Sequence, residues 1–300
     1  MIQHTVVVTL TDHVYYHKAR RTIIDIRTRG EWTGDLVLIT VGFDAPTNFL
    51  DYYNVIPFRV EHIDTSMLLE KYKECPIRPT CDNREWGKLT QWDKFYVFHK
   101  WFAKWDKALY VDAGLRVLDR IHHLANLECK GVIMAPDDAA PYDTQKRFGG
   151  IIEIDRNPHA VHELFKEYSP DIVNQRYFLN CIWMYDTALL QTVSFTDFVD
   201  TMNKYPICRC NEMTVMNLLF TFKYNVWQPF PEFVTIKKKV MSRFADVTDQ
   251  RSDPEIIEFD ESVNKRLFGW TEHDRDYGHH TTWRDFCFLK YPYTINFDCE

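Results

Sequence analysis

The stretch "KALYVDAGLRVLDRI", residues 107–121, decides the fold. An apolar run of strand length ends on one aspartate, Asp112, and Ala113 and Gly114 follow it as a turn signal. An unbroken apolar run is what a strand buried on both faces of a parallel sheet shows. Ligands of open α/β sheets gather outside the carboxyl ends of such strands, so Asp112 stands where a site would be built. Spacing alone leaves two roles open. Asp112 either caps the turn or takes a divalent cation, since Mg2+ and Mn2+ prefer carboxylate oxygens shared with phosphates.

Working outward, residues 1–65 alternate as an α/β unit should. "HTVVVTL" is a first strand, and "TDHVYYHKARRTIIDIRTRG" is a helix with Thr11 or Asp12 as N-cap and Gly30 at its close. "GDLVLITVG" is a central strand, and "NVIPFRVEHI" a shorter one interrupted by Pro57. The segment "GKLTQWDKFYVFHKWFAKWD" is expected to form about five turns of helix, with Leu89, Trp92, Phe95, Tyr96, Phe102 and Trp105 packing into the core. "KGVIMAPDDAAP" and "YFLNCIWMYDTALL" are further strands, the first ending on Asp137 and Asp138 and the second carrying Asn180. "CNEMTVMNLLFTFKYNV" is a helix capped by Asn211. No repeat or linker interrupts the chain, so one α/β domain with a mostly parallel central sheet is expected. Within it, residues 1–125 and 126–235 would form two halves, and 236–300 a wrapping segment.

Composition excludes several classes. The formal net charge is −7 and no basic stripe runs along the chain, so no nucleic-acid partner is expected. No apolar run approaches the ~20 residues of a membrane helix, and "MIQHTVVVTLTDH" has neither a basic flank nor a small-residue cleavage site, so a cytoplasmic protein is expected. Eight cysteines without a CxxC pair argue for reduced thiols. Glycine is scarce, at 10 of 300 residues, and neither GxGxxG nor GxxxxGK[ST] occurs, which disfavours a Rossmann dinucleotide site and a P-loop. GxSxG and HExxH are also missing, against hydrolases and metalloproteases. Any phosphate must therefore be held by a metal or by Lys and Arg.

In order, "GKL...KWDKALYVDAGLRVLDRIHHL", "YFLNCIWMYDT", "CNEMTVMNLLF" and "NVWQPFP" resemble the GT-A-fold glycosyltransferases, particularly the glycogenin- and galactosyltransferase-like (family 8-like) group that reads "TKL...YDKVLYLDADTLVLxxIDDLF". The resemblance spans roughly residues 5–232. It implies a sugar transfer from a nucleotide-diphosphate sugar, UDP-linked by analogy, to a hydroxyl of a glycan or glycoprotein, with Mn2+ or Mg2+ as cofactor. Asp112 matches the first acid of the family's DxD motif, beside the donor ribose and the metal. Gly114 stands where the second acid, a direct metal ligand, is expected. Lys88 matches a basic residue near the nucleotide, and Asn180 the asparagine of "FNSG" that faces the donor sugar. Asn211 and Glu212 align with "DQ" near the reacting centre, while Thr9 and Thr11 match the segment holding base and ribose. His279 or His280, followed by Trp283, is similar to the metal-binding histidine of "HFxGxxKPW". His273, Asp274, Asp276, His279 and His280 could instead form a metal site of their own.

Glu212, Asp137 or Asp138 would serve as base if the transfer inverts configuration. Cations for the departing diphosphate would come from Lys88, Arg116, Arg147 and Lys290. Two other readings remain: a glycosyltransferase-like protein that binds without turnover, favoured by Gly114, and a nucleotidyltransferase, for which a Gly-rich basic N-terminal loop is missing.

Overall fold

The computed structural model describes residues 4–76, 89–117, 120–138 and 145–230, and three short strands near the C-terminus. Its centre is a seven-stranded sheet built from β1 (Thr5–Asp12), β2 (Asp35–Val41), β3 (Ile56–Val60), β4 (Lys107–Val111), β6 (Ile133–Met134), β7 (Ile182–Asp186) and β8 (Trp227–Gln228). The order across the sheet is β3-β2-β1-β4-β7-β6-β8. Four neighbouring pairs are parallel, and β7 runs antiparallel to both β4 and β6. The sheet is therefore mixed and mostly parallel, as expected. β5 (Leu115–Val117) lies outside it and pairs antiparallel with β10 (Phe268–Trp270); β9 (Lys265–Arg266) pairs with β11 (Phe288–Leu289).

Alternation along β1 feeds two cores. Val7 packs with Ile23 and Ile26 of helix α1 (Tyr16–Thr28), whereas Val6, Val8 and Leu10 face the aromatic side of the sheet. β3 is the edge strand. That is the place where Pro57, with no N–H to donate, costs least. Shorter helices complete the layers: α2 (Thr47–Tyr52), α3 (Ser66–Glu74), α4 (His122–Ala125), α5 (Pro158–Tyr168), α6 (Phe195–Lys204) and α7 (Glu212–Asn217), the last continued by a π-helical turn, Leu218–Lys223.

Three expectations about local structure need correction. The aromatic segment is two 3-10 helices, Leu89–Phe98 and Lys100–Lys104, rather than one α-helix. Trp92, Phe95 and Phe98 are all buried and recur every three residues, which is the period of a 3-10 helix. His99 breaks the run with an extended backbone and accepts from the Trp101 N–H. Phe98 packs 4.9 Å from Tyr185, 4.8 Å from Phe198 and 5.0 Å from Phe220, ring centre to ring centre. The stripe is core, as expected; the helix type is not.

The second correction concerns the start of α1. Thr11 and Asp12 belong to β1, because seven residue pairs bind β1 to β2 as far as Asp12↔Val41. The helix starts four residues later, and Asp12 accepts from the Tyr15 N–H at 2.8 Å, just ahead of it. Third, Asn211 does stand at the N-cap position of α7, but its side chain makes no capping hydrogen bond.

Gly30 closes α1 for a steric reason. A Cβ there would lie 2.6 Å from the Ile26 carbonyl oxygen, which is backbone and cannot rotate away. Gly30→Ala is therefore expected to lower stability by ~1–3 kcal/mol, read as a lower urea midpoint with unchanged slope. An unchanged midpoint would mean that the helix end shifts freely.

Candidate active site

Asp112 follows β4 directly, and its N–H donates to the Cys181 carbonyl at 2.9 Å, so β4 and the start of β7 hold the strand end in place. Asn180 is therefore brought beside it from the preceding residue of the antiparallel partner. Tyr110, stacked on Trp183 with ring centres 3.9 Å apart, donates its hydroxyl to Asp112 Oδ1 at 2.7 Å. Burial, and then the Asp112 charge, push that phenol well above its ordinary pKa, so it stays a donor.

The other partners come from two distant elements. Lys94, in the first 3-10 helix, places Nζ 2.9 Å from Asp112 Oδ1, 3.1 Å from Asp112 Oδ2 and 3.0 Å from Glu212 Oε1. Glu212 opens α7, a position that suits an anion, and its Oε1 also accepts from Asn180 Nδ2 at 2.9 Å. These side chains are largely withdrawn from water, at 11% exposure for Lys94, 17% for Asp112 and 4% for Glu212. Burial works against the Lys94 charge, but attraction to Asp112 and Glu212 outweighs it and raises the pKa above the ordinary lysine value. The ammonium is thus fixed in charge and position.

Gly114 has a backbone task. Leu115 N–H closes a four-residue turn onto the Asp112 carbonyl at 3.1 Å, and Gly114, third in that turn, has φ +99°. Left-handed backbone at this place is what a type II turn requires, and side-chain-bearing residues adopt it at a cost. Thr22 of α1 secures the turn, its hydroxyl accepting from Gly114 N–H at 3.0 Å and donating to the Leu115 carbonyl at 2.9 Å.

Asn211 also has a left-handed backbone, φ +46° with ψ −125°. Its Nδ2 donates to Gln91 Oε1, whereas its buried Oδ1 has no partner. A strained residue with an orphaned acceptor beside Glu212 is a functional signal.

The remaining expected residues lie elsewhere or are closed off. Thr9 is fully buried with an unpartnered hydroxyl, and Thr11, also buried, donates to the Asp12 carbonyl at 2.9 Å. Neither reaches solvent, so the polar end of β1 is Asp12, whose Oδ2 accepts from Thr90 at 2.7 Å. Asp137 is gripped by Arg176 through both oxygens, at 3.2 and 2.7 Å. Asp138 is buried between Lys146, 3.2 Å away, and the Tyr177 hydroxyl at 2.6 Å. These contacts make Asp137 and Asp138 ion-paired carboxylates. Lys88, Lys290, His273, Asp274, Asp276, His279 and His280 lie outside the described residues.

Sequence reasoning missed Lys94 as a member of the site, and with it the buried Asp93. The available signal was "WDKF", residues 92–95, where two charges interrupt an apolar stripe that has to be buried. Asp93 is fully buried; its oxygens accept from the Ile63 N–H and contact His62 Nδ1, both at 2.7 Å. Burial pushes its carboxyl up to about 6 from 3.8, against the lowering by Ile63 and His62. Because the folded form keeps this proton longer than the unfolded chain, the protein loses stability as pH rises from about 4 to about 6, by up to ~1.4 kcal/mol per pH unit. Above about 6 this contribution is constant. Asp93→Asn is expected to flatten that part of the stability–pH curve; an unchanged slope would assign it to other groups.

The described residues do not fit a divalent-cation site. No three His, Cys, Asp or Glu side chains cluster suitably among them, and the carboxylate that follows β4, Asp112, is already bonded by an ammonium. No described helix is long and apolar enough to cross a membrane.

This strand-end arrangement can be set beside solved structures. The galactosyltransferase LgtC in complex with donor and acceptor sugar analogues superposes with a TM-score of 0.51 at 12% identity, over 84% of this chain and 81% of that one. The chain has the GT-A glycosyltransferase fold. An active-site variant of LgtC in which a glutamine is replaced by glutamate gives a TM-score of 0.54, also at 12% identity, over 80% of this chain and 78% of that one. No family model matches the sequence, and no curated protein matches it. In this GT-A frame, the Asp112–Lys94–Glu212–Asn180 group stands at the carboxyl edge of β4, where such an α/β sheet takes its ligands.

Proposed function

We propose that this protein is a glycosyltransferase that moves a sugar from a nucleotide-diphosphate sugar to a hydroxyl of a glycan or glycoprotein. One observation carries the reading: Asp112 and Glu212, far apart in sequence, converge on Lys94 at the end of β4 in a GT-A fold, and Asn180 is bonded to Glu212 beside them. Buried charged groups held in one geometry are costly for stability and are what polar substrates require.

In this reading Asp112 accepts from donor ribose hydroxyls, held in orientation by Tyr110. Asn180 and the orphaned Oδ1 of Asn211 orient the donor sugar. Lys94 opposes the negative charge that builds on the departing diphosphate. Glu212 is the base that takes the acceptor hydroxyl proton if the transfer inverts configuration; Asp137 and Asp138, tied to Arg176, Lys146 and Tyr177, are then better placed to shape the acceptor side. LgtC, solved with donor and acceptor sugar analogues, supports this class of substrate by likeness of fold.

The test is sugar release and transfer across UDP-, GDP-, CDP-, ADP- and dTDP-sugars, each with and without Mn2+. Turnover of at least one donor is expected. No response to any donor sinks the proposal, and nucleotide binding without sugar release would favour a binding protein of the same fold.

A further inference from the structure

The geometry points to Lys94 as the resident cation of this site: its ammonium occupies the place where a divalent metal would be held, and the protein binds nucleoside diphosphates without one. This inference rests on the glycosyltransferase reading and sharpens it.

Position 114 is the first support. A metal site built on this strand end needs a second carboxylate close to Asp112, and the turn offers position 114 for it. The backbone there is left-handed, at φ +99°, and Thr22 bonds the turn on both sides. The glycine is thus integral to the turn, and an aspartate in its place would be strained.

Charge balance is the second. Lys94 already stands between two acids, bonded to Asp112 and to Glu212, so the charge of this strand end is countered from within the protein. Both Asp112 oxygens already accept from Lys94, at 2.9 and 3.1 Å, and Oδ1 accepts from Tyr110 as well. A metal ion bound to either oxygen at ~2.1 Å would lie within ~5 Å of that fixed positive charge. It would also have to displace bonds that are already made.

The third is rigidity. A flexible surface lysine could swing aside, but Lys94 is buried on a 3-10 helix whose neighbours Trp92 and Phe95 are core residues, and Glu212 bonds it as well as Asp112. Lysine binds phosphate as a compact point charge with three donors, which suits it to the same task as the metal: countering charge on a diphosphate.

The experiment is titration calorimetry of the full chain with UDP, GDP, CDP, ADP and dTDP, in EDTA and again in MnCl2. At least one nucleotide is expected to bind with affinities that agree within about threefold between the two buffers, and Lys94→Gln to weaken it about tenfold or more in both. Lys94→Arg, which keeps the charge, is expected to recover part of that loss. Binding that is tenfold or more tighter in MnCl2 overturns the inference while leaving the glycosyltransferase reading intact. Metal-independent binding that Lys94→Gln leaves unchanged also overturns it. Should Lys94→Gln fail to fold, the comparison of the two buffers on the unaltered chain still decides. No binding of any nucleotide in either buffer removes the glycosyltransferase reading, and this inference with it.

Discussion

Lys94→Met is expected to destabilise the protein by about 3–5 kcal/mol at pH 7, because it strands two carboxylates that have little access to water. Methionine fills most of the volume, so the loss reports charge rather than a cavity. Asp112 and Glu212 would face each other across the vacated ammonium position, with Tyr110 and Asn180 as their remaining neutral donors. One consequence separates this account from a simple packing defect. Adding Glu212→Gln to Lys94→Met should recover part of the loss, a coupling that a double-mutant cycle measures. Urea unfolding of the four proteins at pH 7 provides the check, and a loss below about 1 kcal/mol would show that the trio is solvated rather than buried.

Asp112→Asn is expected to lower donor turnover about 100-fold in kcat/KM, or ~2.7 kcal/mol of transition-state stabilisation. Asparagine keeps the shape of the side chain and can still accept from the Tyr110 hydroxyl. What it removes is the charge that helps to fix Lys94 and the second acceptor oxygen offered to ribose. Stability should change much less than for Lys94→Met, because Lys94 keeps Glu212 as a partner. The measurement is initial rate against donor concentration for both proteins, together with their unfolding midpoints. Full activity in the variant would make the strand-end aspartate a structural cap.

Much of this site is legible in the sequence. Asp112 was visible because a strand buried on both faces leaves its mark as an apolar run, and a carboxylate closing that run is conspicuous. Asn180, Asn211 and Glu212 were singled out by the order of motifs rather than by local pattern. Lys94 was not found, since in the sequence it sits within an aromatic stripe that reads as core. Both descriptions are true of it, because the stripe buries the stem and the carboxylates receive the ammonium. The 3-10 geometry escaped for a related reason: three- and four-residue spacings overlap over short segments, and only the packing of Trp92, Phe95 and Phe98 on the sheet selects the shorter period.

The amino-acid sequence by itself determined the α/β class, the place of Asp112 at a strand end and the missing second acid, because these depend on apolar periodicity and residue identity close along the chain. Tertiary structure alone decided what surrounds that aspartate. The contact of Lys94 with Glu212 joins residues more than a hundred positions apart, and the role of Gly114 depends on a hydroxyl from α1. Long-range contacts of this kind leave no periodic trace in the chain, since nothing local requires them. They exist because burying a charge demands a partner, and folding supplies it from wherever the sheet brings the chain back.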